Sequence, residues 1–250
     1  MSEETKKTEV TSEGTASAAK EEQSDKKKDA KENALEVLVA ILLGITALLS
    51  AWSSWIGSLH GGNQATNYTK SNNIASEGNA EYNAAMQLYL SDLMAWNTML
   101  EYSFDHELAL SRNDTTEAEL IDEKMQNFAE QNCSEILLDA IGKMDDTATS
   151  PFSVEGTYEK YFVDANALID ESQQLLEQGM KDNSNGDAYN LVNVIYSLVL
   201  FLLGIVGIFK KLPNRTVVFI VAAVGLILAT VYMFTIPMPT GFDFTSYFTS

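Results

Sequence analysis

The sequence is poor in the side chains that most often bind metals or act as nucleophiles, with one cysteine and two histidines among 250 residues. One cysteine cannot form a disulfide within the chain, and so few thiol and imidazole groups exclude a Cys-rich or His-rich metal centre. The chain also lacks a P-loop, a dinucleotide-binding glycine motif, an HExxH motif and a Gly-x-Ser-x-Gly motif. The sequence therefore predicts no catalytic, cofactor or metal site. We expect a protein that is not an enzyme and needs no cofactor, and we identify no small-molecule substrate.

Positive charge is also scarce. The chain has 16 Lys and Arg residues and 35 Asp and Glu residues, which gives a net charge of -19. Nearly all of the excess lies in residues 57–187, where 6 basic residues face 24 acidic ones. Such a field repels nucleic-acid phosphates and anionic lipid headgroups. It excludes a nucleic-acid partner and is compatible with cations, with basic partners or simply with solubility.

Long hydrophobic runs are present at residues 35–56, 189–209 and 217–236. A helix of about 20 apolar residues spans the hydrocarbon core of a bilayer. The first run follows a polar leader that is too long for a signal peptide, so we predict a retained transmembrane helix at 35–56. The other two runs predict a transmembrane hairpin at 188–236, because only the short turn 210–216 separates them.

The distribution of Lys and Arg predicts the orientation of the chain. Basic residues precede the first run and occupy the hairpin turn, whereas the tail 237–250 has none. Positive charge favours the cytoplasmic side. We therefore expect a multi-pass plasma-membrane protein with a cytoplasmic, disordered leader at 1–34. Residues 57–187 and the aromatic tail 237–250 would then be external, and the tail would lie on the outer leaflet, dock on its own external domain or fray. The residues predicted at the membrane interface are Trp52, Trp55, Tyr189, Lys210, Lys211 and Arg215.

The segment between the first and second runs shows helical periodicity. Its apolar residues recur at alternating spacings of three and four, first at Tyr82, Met86, Tyr89, Leu93, Trp96 and Leu100 and last at Tyr158, Tyr161, Ala165, Leu168, Ser172 and Leu175. This spacing is typical of helices that pack on other helices, as in coiled coils. A middle helix is predicted from the Asp114 cap to about Lys143. Breaks are predicted at Gly78 and in the KDNSNGD stretch, and the candidate interaction residues are Trp96, Tyr89 and Tyr82.

Three sequence stretches carry a resemblance to a known family: ALLSAWSSWIGS at the end of the first run, NQATNYTKSNNIA before the helix with Trp96, and KKLPNR in the hairpin turn. Over residues 35–236 the chain resembles an uncharacterised prokaryotic family of three-helix membrane proteins, known only as a domain of unknown function. The resemblance implies a topology. It implies no activity, cofactor or site residue.

The predicted fold class is all-α, an integral membrane protein with three transmembrane helices. Between the first and second lies an external helical bundle or coiled-coil domain, residues 57–187. The predicted function is a non-enzymatic interaction or structural component of the membrane. Its partners would be the lipid bilayer and either a second copy or an envelope protein. The alternative is a subunit of an oligomeric transport or channel complex.

Overall fold

The computed structural model describes residues 4–145, 148–209 and 213–247, and it describes side chains at 30–145, 148–209 and 213–245. Lys210 and Lys211 lie outside the described residues, as do the side chains of most of the predicted leader. The helices are α1 (Glu4–Ser111), α2 (Thr115–Asn132), α3 (Glu135–Gly142), α4 (Thr157–Tyr161), α5 (Val163–Ile208) and α6 (Arg215–Thr235). Two 3-10 turns cover Pro151–Ser153 and Phe244–Tyr247. The described part of the chain contains no β-strand, which confirms the all-α class.

Three of the helices are long and apolar enough to cross a membrane, as predicted: α1 within Ala30–Ser111, α5 and α6. The chain divides into two compact units. The apolar unit comprises Met1–Gln64 and Lys181–Ser250, and the central unit comprises Ala65–Met180.

The apolar unit has its large side chains on both the inside and the outside. Ile56 of α1, Tyr189 and Leu203 of α5, and Leu226 and Met233 of α6 are buried where the helices pack together. The outward faces carry further large apolar side chains, including Leu48, Val194, Phe201 and Phe234. Helices that are apolar on every side are typical of membrane spans.

The central unit packs α1, α3, α4 and α5 around small and aromatic side chains. Its buried cluster contains Ala85, Tyr161 and Phe162, with Tyr89 and Phe152 packed against it. In α5 the predicted inward row is confirmed at Ala165 and Ser172, which are buried. In the part of α1 that belongs to the central unit, the buried positions include Ser71, Ala85, Asp92, Ala95 and Ala109. The buried face of α1 therefore lies beside the predicted row of larger residues. Small side chains on this face permit the closest approach of the neighbouring helices.

Both helix breaks predicted from glycine-containing polar stretches are wrong. Helix α1 continues through Gly78, and α5 continues through the KDNSNGD stretch. A Cβ atom on Gly78 would lie 3.1 Å from Cγ1 of Ile169 and 3.2 Å from Cβ of Leu168. Gly78 therefore permits close packing of α1 on α5 rather than a break.

The break occurs instead in the predicted middle helix, which is divided into α2 and α3. Asp114 caps α2 as expected and accepts a hydrogen bond from the Glu117 amide at 3.0 Å. Ser134 caps α3 by accepting from the Leu137 amide at 3.2 Å. Serine is a preferred N-cap because its oxygen satisfies an amide that the helix leaves unpaired. Cys133 has an extended backbone between the two helices.

Candidate functional site

A buried polar cluster joins three segments of the apolar unit. His60 of α1 contacts Oδ1 of Asp182 through Nδ1 at 2.9 Å, and the two side chains are each 1% exposed. Its other ring nitrogen, Nε2, lies 3.0 Å from the carbonyl oxygen of Pro237, just after α6. The cluster therefore ties α1 and α5 to the segment that leaves α6.

Local helical geometry explains why these residues meet. Ser53, Gly57 and His60 are spaced by four and three residues along α1, and Asp182, Gly186 and Tyr189 repeat that spacing along α5. Residues at this spacing share one face of a helix. Two glycines let these faces approach closely, since a Cβ on Gly57 would lie 3.3 Å from Cβ of Tyr189. The Ser53 hydroxyl donates to the Tyr189 carbonyl at 3.0 Å.

The partners of His60 determine the protonation of the cluster. A carbonyl oxygen can only accept, so Nε2 must carry a hydrogen to bond Pro237. Nδ1 faces a carboxyl oxygen, and that contact also needs one hydrogen between its two atoms. The Tyr189 ring stacks on the imidazole with its centroid 5.8 Å away and excludes solvent from this side.

An aromatic cluster lies at the same end of the apolar unit. The predicted interface residues Trp52 and Trp55 contact each other edge to face, with ring centroids 5.4 Å apart. Phe242 lies 6.4 Å from the Trp52 ring and 5.8 Å from the Trp55 ring. Phe244 lies 6.2 Å from Trp52. The first half of the aromatic tail thus packs on α1 of its own chain.

The remaining predicted interface residues lie inside the apolar unit. Tyr189 is buried, and its ring belongs to the His60 cluster. Arg215 begins α6, and its side chain is 9% exposed. Its Nε donates to the Val206 carbonyl of α5 at 2.8 Å, and Nη1 lies 3.4 Å from Glu32 of α1. The guanidinium therefore joins the helix ends near the turn.

Of the candidate interaction residues, Tyr82 and Tyr89 take part in an aromatic cluster of the central unit. The Tyr82 ring lies 4.9 Å from the Phe162 ring. The Tyr89 ring makes edge contacts at 5.3 to 5.5 Å with the rings of Phe152, Tyr158 and Tyr161. Trp96 is half-buried on the same helix. These aromatics contribute to packing within the central unit.

Asp92 is a buried carboxylate that the sequence did not single out. It accepts from the Ser134 amide at 2.9 Å, from the Ser134 hydroxyl, and from the Tyr161 hydroxyl at 2.6 Å. Burial, and then the hydrogen bond to Asp92, raise the pKa of Tyr161 above its usual value of 10.0. The carboxylate thus connects α1 to the start of α3 and to α4.

Asp139 forms an exposed ion-pair cluster with two lysines. Its Oδ2 lies 2.7 Å from Nζ of Lys143 and 2.5 Å from Nζ of Lys160. The hydrogen bonds from these ammonium groups lower the pKa of the Asp139 carboxyl to about 2. No group of three His, Cys, Asp or Glu side chains among the residues with described positions could hold a metal ion.

The central unit carries a row of exposed side chains on one face of α1, of which four are apolar and two are polar. We call this the outer row: Leu90, Met94, Asn97, Glu101, Phe104 and Leu108, all exposed. The spacing of four and three places them on one helix face, opposite the buried Asp92. A cleft of about 180 Å³ lies beside the row, lined by Ser91, Met94, Ala95, Thr98, Phe128 and Asn132.

Comparison with known proteins yields no relative of this chain. No family model matches it. No curated protein and no solved structure matches it either. The resemblance to an uncharacterised three-helix family stays a prediction.

Proposed function

We propose that the chain is a non-enzymatic, multi-pass plasma-membrane protein whose central unit contacts a protein partner outside the cell. In this proposal α1, α5 and α6 cross the bilayer, with the N-terminus and the turn before Arg215 in the cytoplasm. The central unit is then an external helical bundle, and the aromatic tail lies at the outer leaflet.

Two observations support insertion in a membrane. Three helices have the length and composition of spans. Their outward side chains, such as Leu48, Phe201 and Phe234, are large and exposed, and this arrangement is stable in lipid but not in water. The Lys and Arg distribution supports the orientation.

The outer row is the main observation that supports binding to a protein partner. Met94 is 65% exposed and Phe104 is 73% exposed, although both belong to the central unit and lie far in sequence from the predicted spans. Lipid contact therefore does not account for them in the proposed topology. Aromatic residues and methionine are enriched at protein interfaces. Met94 and Phe104, together with Leu90 and Leu108, lie along five helical turns, and such a row fits a surface that a partner covers.

Photo-cross-linking in intact host cells tests this proposal. A benzophenone amino acid would replace Met94 or Phe104 in the full-length chain, and Leu120 would serve as the control because it is 62% exposed on α2 and is not part of the row. We expect adducts heavier than the chain from the two row positions and none from position 120. A chain that forms no adduct at positions 94 and 104 would contradict an interaction through this surface.

A further inference from the structure

The partner chemistry that the outer row favours can be inferred from the charges around it. Residues 71–111 contain no Lys or Arg, and they include the exposed carboxylates of Glu101, Asp105 and Glu107. Glu101 lies within the row itself, between Met94 and Phe104. The central unit as a whole has 22 acidic and five basic residues. A partner that covers the apolar side chains therefore brings its own surface close to carboxylates.

The geometry of the row favours a helical occupant. Leu90 and Leu108 are 18 residues apart, which is five turns of α-helix, or about 27 Å. The row is a straight ridge with the four-three spacing of a helix–helix seam. The cleft beside Met94, between α1 and α2, can receive side chains of a second helix that lies along this ridge.

We infer that the outer row binds a basic amphipathic helix of about five turns, with its apolar face on Met94 and Phe104 and its Lys or Arg residues near Glu101 and Asp105. This inference rests on the proposed function and names the class of partner. Opposite charges across an interface increase the association rate and select the partner.

A second copy of the chain fits this surface less well than a basic helix. Each copy brings the same excess of 17 negative charges in its central unit. If two α1 helices paired in parallel through the row, Glu101 would face Glu101 of the other copy. Like charges placed directly opposite each other are destabilising.

Binding of designed peptides to the full-length chain in phosphatidylcholine nanodiscs tests the inference. Three labelled 22-residue peptides would be used: a Leu/Lys amphipathic helix, the same helix with Glu for Lys, and the same helix with Ser for Leu. Empty nanodiscs give the background. We expect only the Leu/Lys peptide to bind, and more weakly in 0.5 M than in 0.05 M salt, because salt screens the charge attraction.

Two charge-matched variants locate the binding surface. Met94→Asp with Phe104→Asp should weaken binding of the Leu/Lys peptide at least about tenfold, because both anchors are lost. Leu120→Asp with Val163→Asp adds the same charge at side chains that are 62% and 57% exposed, and should change binding less than about twofold. Equal binding to both variants would overturn the inference, as would equal binding of the Glu peptide.

A cross-linking measurement separates this inference from the proposed function. Met94→Cys or Phe104→Cys chains, made with Cys133→Ser, should not form disulfide-linked dimers in nanodiscs that hold two copies. Efficient dimer formation would contradict the inference that a basic helix covers the outer row. It would still agree with the proposed function, because the row would then contact a second copy of the chain. If no photo-adduct forms in cells at positions 94 and 104, the proposed function itself is contradicted.

Discussion

At the scale of single residues, Asp92 is a buried carboxylate whose hydrogen bonds join helices of the central unit. Its carboxylate is 1% exposed and accepts three hydrogen bonds from Ser134 and Tyr161. A buried donor or acceptor left without a partner costs about 1–3 kcal/mol, and more when the group is charged. Each of the three residues is therefore a position at which a substitution should weaken the contacts between helices.

Tyr161→Phe should change both the stability of the central unit and its dependence on pH. The loss of a hydrogen bond to a carboxylate should lower the free energy of unfolding by about 1.5–3 kcal/mol at pH 8. In the wild-type chain the raised pKa of Tyr161 means that this phenol ionises more readily when unfolded. The contribution of the Tyr161 phenol to the free energy of unfolding is therefore fully present below pH 10, and it is lost as pH rises through the folded-state pKa.

Denaturant unfolding of the full-length chain in detergent, followed by near-ultraviolet circular dichroism at pH 8 and pH 11, measures this effect. Tyr102→Phe is the control, because its ring packs on Phe128 at 5.7 Å, outside the Asp92 cluster. In the control, the free energy of unfolding should still fall between pH 8 and pH 11 by the amount that Tyr161 causes. Tyr161→Phe should not show that part of the decrease. An identical alkaline loss in both variants would show that Tyr161 is not its source.

The His60–Asp182 pair predicts strong coupling between two substitutions. His60→Leu or Asp182→Leu alone leaves a buried polar group without its partner and should cost about 3–5 kcal/mol. The double variant should cost much less than the sum, because it leaves neither group of the pair unpaired. Unfolding of full-length chains in mixed micelles by increasing amounts of sodium dodecyl sulfate measures all four forms. Additive losses would show that the two side chains act independently.

At the scale of helices, glycine determines where α1 and α5 come close. Gly78→Leu should destabilise the central unit by about 1–3 kcal/mol, because its Cβ would meet the side chain and backbone nitrogen of Ile169 at 3.1 and 3.3 Å. Gly61→Ala is the control in the same helix, since nothing lies within 4 Å of its added Cβ. It should be neutral or stabilising by up to about 1 kcal/mol. Thermal unfolding of the two variants measures the difference.

The same glycine would give the opposite result if it marked a flexible break. In that case Gly78→Leu would stabilise the chain by improving helix propensity, and Gly61→Ala would behave similarly. An increase in thermal stability from both substitutions would therefore contradict close packing at Gly78.

Hydropathy and periodicity predicted much of the fold, because both follow from residue type alone. The three apolar helices and the inward row at Ala165 and Ser172 are confirmed. The breaks at Gly78 and in KDNSNGD were wrong because glycine serves both turns and close helix contacts, and only the neighbouring helix distinguishes them. The break predicted in KDNSNGD also separated Asp182 from the helical face of Tyr189. Without that break, Asp182, Gly186 and Tyr189 fall on one face of α5.

The residues that the sequence missed depend on long-range contacts. His60 and Asp182 are separated by 122 positions, and Asp92 and Tyr161 by 69. Spacing within one helix shows which residues share a face, but not which face of another helix lies opposite. The sequence therefore located the tryptophans of the aromatic cluster but not their contacts with Phe242 and Phe244.

At the scale of the whole molecule, the proposed topology makes a prediction about which parts of the chain face the medium. Single cysteines at Ser12, Asn183 or Asn214 would be placed in a Cys133→Ser background, which removes the one native thiol. Because positive charge favours the cytoplasm, we expect the chain with Asn183→Cys to react with a membrane-impermeant maleimide on intact cells. Asn183 is exposed on α5, within the stretch assigned to the outside, so its reagent access needs no unfolding.

The other two cysteines should react only after the cells are permeabilised, because Ser12 belongs to the leader and Asn214 to the hairpin turn. Permeabilised cells control for thiols that are buried in the protein rather than hidden by the membrane. Labelling of Ser12→Cys and Asn214→Cys on intact cells, with protection of Asn183→Cys, would reverse the orientation. It would also place the outer row in the cytoplasm, where a basic helix from an intracellular protein rather than an envelope protein would be its partner.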